Sequence, residues 1–348
     1  MTWNPTFQTT AVGSFPHRNG RFLSQKLASL LDVPAWPQLP RRDFRENMYV
    51  QYSAHLPGVK LDEANEKIWF ETSGDLSEAL EQFYTPYLSD DVDAFALPPA
   101  YTTGLAAMLD TLRTTPGDWA KGHVTGPISF GLTVTDQDLR AALYDEMLAD
   151  PIVKNMAMNA RWQVRQLQTV RPKTIIFVDE PYMAAFGSAF IALQREQVVA
   201  MLDEVFTAVQ QEGALAGVHC CANTDWSVLL STQVDILNLD AYGYLENLAL
   251  YPAELRTFLD RGGIVAWGIV PNNELVHEVT AQGLAQKLRA GLSLIEAKAK
   301  GRGVRILADE LAERSLITTS CGMGSTTEDV ADRALALLVE TSSSLQRG

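Results

Sequence analysis

Polarity along this chain follows two rhythms. Eight short apolar runs, at 9–12, 92–97, 122–125, 174–178, 214–218, 234–239, 264–267 and 316–319, have the length and composition of buried strands. Between most of them, apolar residues recur at the spacing of an amphipathic helix. These spans are 101–113, 136–148 running on into 152–169, 191–212, 225–231, 252–260, 283–300 and 326–342. Strand and helix in regular alternation predict an α/β fold with a parallel sheet, and eight β units match the tally of a (β/α)8 TIM barrel. An open, doubly wound sheet is the competing architecture. The barrel is preferred because candidate chemical residues follow many different strands, not one crevice.

The stretch after the first run breaks this rhythm. It predicts helices at 22–31, 41–56 and 73–88 and a small hairpin or loop at 59–70. At 34–40 it predicts no regular structure, because Pro34, Pro37 and Pro40 remove backbone donors. The segment 18–91 lacks the apolar repertoire for a core of its own. It is read as an elaborated loop inserted after strand 1, so that 1–348 forms a single domain.

Composition narrows the class of function. The 348 residues are 47% hydrophobic, ample for one large core. With 28 basic and 42 acidic residues the net charge is −14, which argues against nucleic-acid and anionic-membrane partners, since phosphates would be repelled. The opening Met1-Thr2-Trp3-Asn4-Pro5 has no basic region leading into an apolar core, so no signal peptide is expected. No apolar run reaches the roughly 18 residues of a membrane span. Three cysteines without framework spacing fit a cytoplasmic protein whose thiols stay reduced and free to bind metal.

Candidate chemistry lies where the apolar runs end, on the side of a barrel where active sites form. The run 214–218 leads into His219-Cys220-Cys221. His219 and Cys221 stand two apart, so an extended backbone turns both to one face and Cys220 to the other. Cys321 opens a Gly-rich turn after the run 316–319. Two strand ends of one sheet can bring this imidazole and both thiolates onto one Zn²⁺; small cysteines filling a core are the alternative. Asp179 and Glu180 end the run 174–178 before Pro181, and Asp179 serves either chemistry or a helix N-cap. Asp240 ends 234–239 as an oxygen ligand or a surface acid. The Gly13-Ser14-Phe15 turn can offer N–H groups and a hydroxyl to an anion. The chain has neither a Gly-rich phosphate fingerprint nor an ordering of Ser, His and Asp that favours a serine hydrolase.

Five pieces carry a family resemblance: Val12-Gly13-Ser14-Phe15-Pro16, Thr125-Gly126-Pro127, Val178-Asp179-Glu180-Pro181, His219-Cys220-Cys221 and Ser320-Cys321-Gly322. In this order, and over nearly the whole chain, they resemble the C-terminal catalytic half of cobalamin-independent methionine synthases. That family belongs to a wider group of barrels with uroporphyrinogen decarboxylase and the corrinoid-dependent methyltransferases. The resemblance implies Zn²⁺ on His219, Cys221 and Cys321, with a carboxylate as fourth ligand at the position of Asp240. It implies an amino-acid substrate against Val12, Gly13, Ser14 and Asp179, and puts the family's amine-holding Glu at Gln51.

The activity so implied is zinc-dependent methyl transfer to the thiol of homocysteine, giving methionine, with Asp179, His219, Cys221 and Cys321 as the catalytic set. A Trp associated with the folate donor is replaced near Thr133, and the family's additional N-terminal barrel is absent. The expected form is therefore a short, core-type enzyme whose methyl donor is a corrinoid, free or protein-bound. The alternatives are a corrinoid-protein:thiol methyltransferase acting on another small thiol such as coenzyme M, and a barrel that binds zinc without catalysis.

Overall fold

The structure, a computed structural model, describes residues 3–188 and 191–347. Met1 and Thr2, the start of the stretch read for a leader, lie outside the described residues. In chain order the strands are β1 (Gln8–Thr9), β2 (Val59–Asp62), β3 (Lys67–Phe70), β4 (Trp119–Thr125) and β5 (Lys173–Asp179), followed by β6 (Leu215–Cys220), β7 (Ile236–Leu239), β8 (Ile264–Val270) and β9 (Ser315–Thr319). Seven of them make one parallel sheet in the order β1-β9-β8-β7-β6-β5-β4, and β2 and β3 pair apart as an antiparallel hairpin. This is an α/β fold with a curled parallel sheet of TIM-like type.

Both faces of the sheet are covered, which is why its strands read as unbroken apolar runs. Ile175 and Phe177 of β5 join Ile236, Ile264, Ala266 and Leu316 in a small core on one face. Their neighbours Ile176, Val178, Leu237, Val265 and Ile317 pack into the larger core under the helices. Those helices start where the sequence supplies caps. Asp145 caps Glu146–Gln168, Thr280 caps Ala281–Gly301 and Thr327 caps Glu328–Gln346, each side chain accepting from a first-turn N–H.

One expectation in the first third of the chain is corrected, and another is completed. The run 92–97 is no strand: Val92–Phe95 is a 3-10 turn whose N-cap Asp91 accepts from Ala94 N–H. Val92 and Phe95 stand three apart and bury together against Phe83 and Met158, which is helical spacing. The proline-rich stretch 34–40 holds no helix or strand, as expected, but it runs between the sheet's two edges and bonds to both through isolated bridges. On the β1 side, Val33 N–H donates to Thr9 O at 3.0 Å and Gln38 N–H to Gly13 O at 2.9 Å. On the β4 side, Lys121 N–H donates to Pro34 O at 2.8 Å and Trp36 N–H to Lys121 O at 3.1 Å. Prolines at 34 and 37 fit because only their carbonyls could take part. The count of eight β units thus included a turn and left out this segment.

Smaller differences follow local turn chemistry. The helix expected over 41–56 is reduced to Phe44–Glu46 and Met48–Gln51. Residues 136–145 form no α-helix, because the Asp136 carboxylate accepts from Asp138 and Arg140 N–H and closes a tight turn. Short helices at Pro127–Thr133, Ala241–Leu248 and Ala308–Glu313 were not anticipated. Among the described residues, no helix is long and apolar enough to cross a membrane.

Candidate active site

The ends of β5 and β6 lie side by side, with Asp179 in register with His219 and, on its other side, Thr125. Cys221 follows β6, and Cys321 follows β9. One ligand atom from each of His219, Cys221 and Cys321 lies within 4.8 Å of the others. Tetrahedral zinc at 2.0–2.3 Å from such atoms would hold them about 3.5–3.8 Å apart, so the cluster fits that ion with little movement. The donor set, one imidazole and two sulfurs, is of the kind zinc selects. Cys220 is fully buried in the core under the helices, on the opposite face from its two neighbours.

The electrostatics of this cluster favour deprotonated sulfur. The Cys321 thiol donates to Cys221 and, with His219, pulls the Cys221 pKa down to about 4 against the cost of burial. The same bond, together with burial, pushes Cys321 up, so the two sulfurs share a proton. Burial disfavours charge on His219, yet the neighbouring Cys221, Asp179 and Asn238 raise its pKa. Its Nδ1 lies 2.6 Å from Asn238 Oδ1, while Nε2 is sealed from solvent and has no partner.

These ligands line a cavity of roughly 320 Å³, together with Val12, Ser14, Gln38, Asn47, Met48 and Asp179. Asp179 is half-buried, and its Oδ1 is sealed without a hydrogen-bond partner. Burial holds its carboxyl above the usual range, against the pull of His219 and Lys121. Lys121, fully buried on β4, stands over the Phe177 ring and donates from Nζ to Val12 O at 2.7 Å. Burial lowers its pKa, with Asp179 opposing.

Glu180, one residue on from Asp179, has a different job. It accepts from Ile128 N–H at 3.0 Å, Ser129 N–H at 2.7 Å and Ser129 Oγ at 2.6 Å, at the start of helix Pro127–Thr133. A Cβ on Gly126 would come within 2.1 Å of that carboxylate, so the Gly126-Pro127 and Asp179-Glu180-Pro181 pieces are two halves of one clamp.

The Gly13–Ser14 turn rests against the loop after Cys321. Ser14 O accepts from Met323 N–H at 2.9 Å, and Ser14 Oγ accepts from Gly324 N–H at 3.3 Å. Gly13 has φ +150° and leaves room for the His123 ring, which any Cβ there would strike. Asp240 does not join the three-ligand group. Its carboxylate accepts from Gly243 N–H at 2.8 Å and caps helix Ala241–Leu248. Gln51 does not line the cavity either. Its Oε1 accepts from Gln38 Nε2 at 2.6 Å and its Nε2 donates to Tyr101 O, so it braces Gln38, which does line it. Thr133 ends helix Pro127–Thr133 and is exposed.

Three buried polar residues around this cavity were missed: Gln38, Lys121 and Asn238. Asn238 had a faint signal, as the single polar residue of an otherwise apolar strand, and Lys121 a fainter one, as a charge inside a buried strand that also carries His123 and Thr125. Gln38 had none, lying between prolines.

A TIM-like sheet with an imidazole–thiol–thiol cluster at its strand ends defines the class. No family model matches the sequence, and no curated protein does. Among solved structures, the chain is similar to a B12-independent methionine synthase from Shewanella sp. W3-18-1 in complex with selenomethionine. That match has 18% identity and a TM-score of 0.60, covering 98% of each chain. It is also similar to a candidate vitamin-B12-independent methionine synthase from Listeria monocytogenes, with 11% identity, a TM-score of 0.52 and 96% of each chain covered. At these identities the likeness is one of fold.

Proposed function

We propose that this protein is a methyltransferase that moves a methyl group to the thiol of homocysteine, forming methionine, with Zn²⁺ held by His219, Cys221 and Cys321. One observation carries the reading: a closed imidazole–thiol–thiol cluster and an unpartnered carboxylate oxygen, Asp179 Oδ1, share a single cavity. The cluster suits a thiophilic metal ion, and the carboxylate suits an ammonium group. When bound there, Zn²⁺ favours the thiolate of a substrate whose free thiol, with a pKa near 8.5, is mostly protonated at neutral pH.

The chain's own groups orient the acceptor. Asp179 takes the ammonium, the Gly13–Ser14 turn faces the carboxylate, and the side chain between them is left to point its sulfur at the cluster. Lys121 fixes the Val12 carbonyl and so the approach to that turn. In the transfer, the acceptor thiol gives up its proton to solvent or to the departing donor and gains the S–CH₃ bond, while the donor keeps the electron pair of the bond it loses to that methyl. For Asp240 to serve as the fourth ligand expected from the sequence, it would have to release Gly243 N–H.

Both fold relatives are described as methionine synthases, one in complex with selenomethionine, which supports a methionine-sized amino acid as ligand. The methyl-corrinoid donor expected from Thr133 stands against their description as B12-independent. The two donors are therefore arms of one test. Zinc-loaded protein is given homocysteine with methylcobalamin or with methyl-tetrahydrofolate, and methionine is assayed. Methionine from either donor supports the acceptor and decides the donor. No methionine from either, with a zinc absorption edge unchanged by homocysteine, would leave a zinc-binding barrel without this activity. Methylation of coenzyme M as fast as homocysteine would move the acceptor to amine-free thiols.

A further inference from the structure

Strand β7 carries one polar residue, Asn238, between Leu237 and Leu239, and it is fully buried. A polar side chain in that position is costly unless its groups are paired, so its bonds reveal what it is for. Its Nδ2 donates to the Ala266 carbonyl at 2.7 Å and to Thr318 Oγ1 at 2.9 Å. The Ala266 carbonyl can only accept, which fixes the nitrogen end of the amide. Thr318 donates its own hydroxyl hydrogen to Thr319 O at 2.8 Å, so its oxygen has only a lone pair to offer Asn238. Both amide hydrogens are thus engaged. The Oδ1 that lies 2.6 Å from His219 Nδ1 is an acceptor, and Nδ1 must carry the proton. In the neutral imidazole the lone pair then sits on Nε2, the ring atom that is sealed and without a partner.

We infer that Asn238 is a positioning residue that sets the tautomer and ring plane of His219, presenting the Nε2 lone pair to the site shared with Cys221 and Cys321. The inference rests on the metal reading proposed above. The relay runs from β6 through β7 to the Ala266 carbonyl on β8 and Thr318 on β9. The orientation of this ligand is therefore set by four adjacent strands of the sheet and by no loop. A carboxylate partner would orient the ring equally well, but would add negative charge beside two sulfurs. The amide gives direction without charge.

The test compares the wild type with Asn238→Leu and Asn238→Asp, first without metal. Nitrogen NMR of His219, recorded at a pH where the imidazole is neutral, should show the proton on Nδ1 in the wild type. The Leu variant should shift it to Nε2 or to a mixture. The Asp variant, protonated toward Ala266 O and close to isosteric, should keep it on Nδ1. Zinc affinity by chelator competition should then fall roughly 10–100-fold in the Leu variant and stay close to wild type in the Asp variant. If the Leu variant does not fold, Thr318→Val frees one amide hydrogen and should give the same shift in smaller measure. An unchanged tautomer with unchanged zinc affinity in the Leu variant would overturn the inference. So would equal zinc losses in the Leu and Asp variants with an unchanged tautomer, which would mean packing alone. A wild type that binds no zinc would remove the metal reading, and the metal-free spectra would still decide the role of Asn238.

Discussion

The cavity has two walls, and they handle buried polar atoms in opposite ways. One wall is made of the ends of β5, β6 and β9. There His219 Nε2 and Asp179 Oδ1 are sealed from water without partners. The other wall comes from the Gly13–Ser14 turn, from residues 33–51 and from the Gly-rich loop after Cys321, and there no sealed side-chain polar atom is without a partner. Gln38 Nε2 donates to Gln51, Gln51 Nε2 donates to Tyr101 O, Asn47 Oδ1 accepts from Tyr49 N–H and Ser14 Oγ accepts from Gly324 N–H. Leaving a buried polar group unpaired costs about 1–3 kcal/mol. Such groups on one wall mark where a ligand supplies the partner, and a saturated wall supplies shape. Chemistry and positioning are therefore separable by mutation.

The largest break removes a sulfur. Cys221→Ser or Cys321→Ser should take zinc content from stoichiometric to background and activity with it. Cys220→Ser should retain both, since that thiol packs under the helices and bonds only to Ala222 O. Metal analysis of the purified variants checks this. Full zinc in the Cys321 variant would mean that the strand-end wall does not hold the ion.

Adjacent carboxylates sharpen the comparison within a single strand end. Asp179→Asn should weaken homocysteine against an amine-free thiol by roughly 10–150-fold in kcat/KM, the equivalent of ~1.5–3 kcal/mol for a charge-assisted contact. Its stability should change little, because the sealed Oδ1 makes no hydrogen bond to lose. Glu180→Gln should do the reverse. Burial lifts Glu180 from 4.5 to about 7, against the bonds from Ser129 and Ile128. The folded state thus keeps a proton that the unfolded chain releases between those values. The contribution of Glu180 to wild-type stability is therefore fully present below pH 4.5 and is lost, by up to about 3 kcal/mol, as pH rises through 7. The amide mispairs with Ser129 N–H, which costs about 1–3 kcal/mol near pH 5. It cannot ionise, so its deficit should shrink by pH 8. Denaturant melts at both pH values decide. A constant offset would show that Glu180 does not titrate in this window.

What the sequence made legible follows the same division. Strands buried on both faces write unbroken apolar runs, and the residues that end them, Asp179, His219, Cys221 and Cys321, could be read off directly. Strand parity also separated Cys220 from its neighbours. The positioning wall was opaque because its order comes from bonds between distant, unpatterned residues. Residues 34–40 read as irregular, and they hold no helix or strand, but nothing in the sequence shows which of their groups bond to the sheet edges. The Gln51 side chain is held near the site through Gln38 and Tyr101. Asn238 interrupts an apolar run with nothing to say that its partners lie 28 and 80 residues away. Asp240 read as an oxygen ligand or a surface acid, and the structure shows a third role, a half-buried helix cap that accepts from Gly243 N–H.

The gentlest test acts where the two walls meet. Arg41 is exposed, and donates from Nε to Gly324 O at 3.2 Å and from Nη2 to Ser325 O at 2.6 Å, tying the elaborated loop to the turn after Cys321. Cys321 itself is held from the strand side. Thr319 Oγ1 donates to Cys321 O at 2.8 Å, and Asn272 Nδ2 donates to Gly322 O at 3.1 Å. Arg41→Ala should therefore free residues 324–325 and leave the sulfur in place. Exposed hydrogen bonds of this kind contribute at the low end of their range, so stability should change by less than ~1 kcal/mol. The acceptor KM should rise by no more than about fivefold, with zinc content unchanged. Amide exchange at Gly324 and Ser325 should quicken, as expected of a loop that loses its tether. If zinc affinity falls as KM rises, the turn after Cys321 couples the two walls, and the division between chemistry and positioning does not hold there.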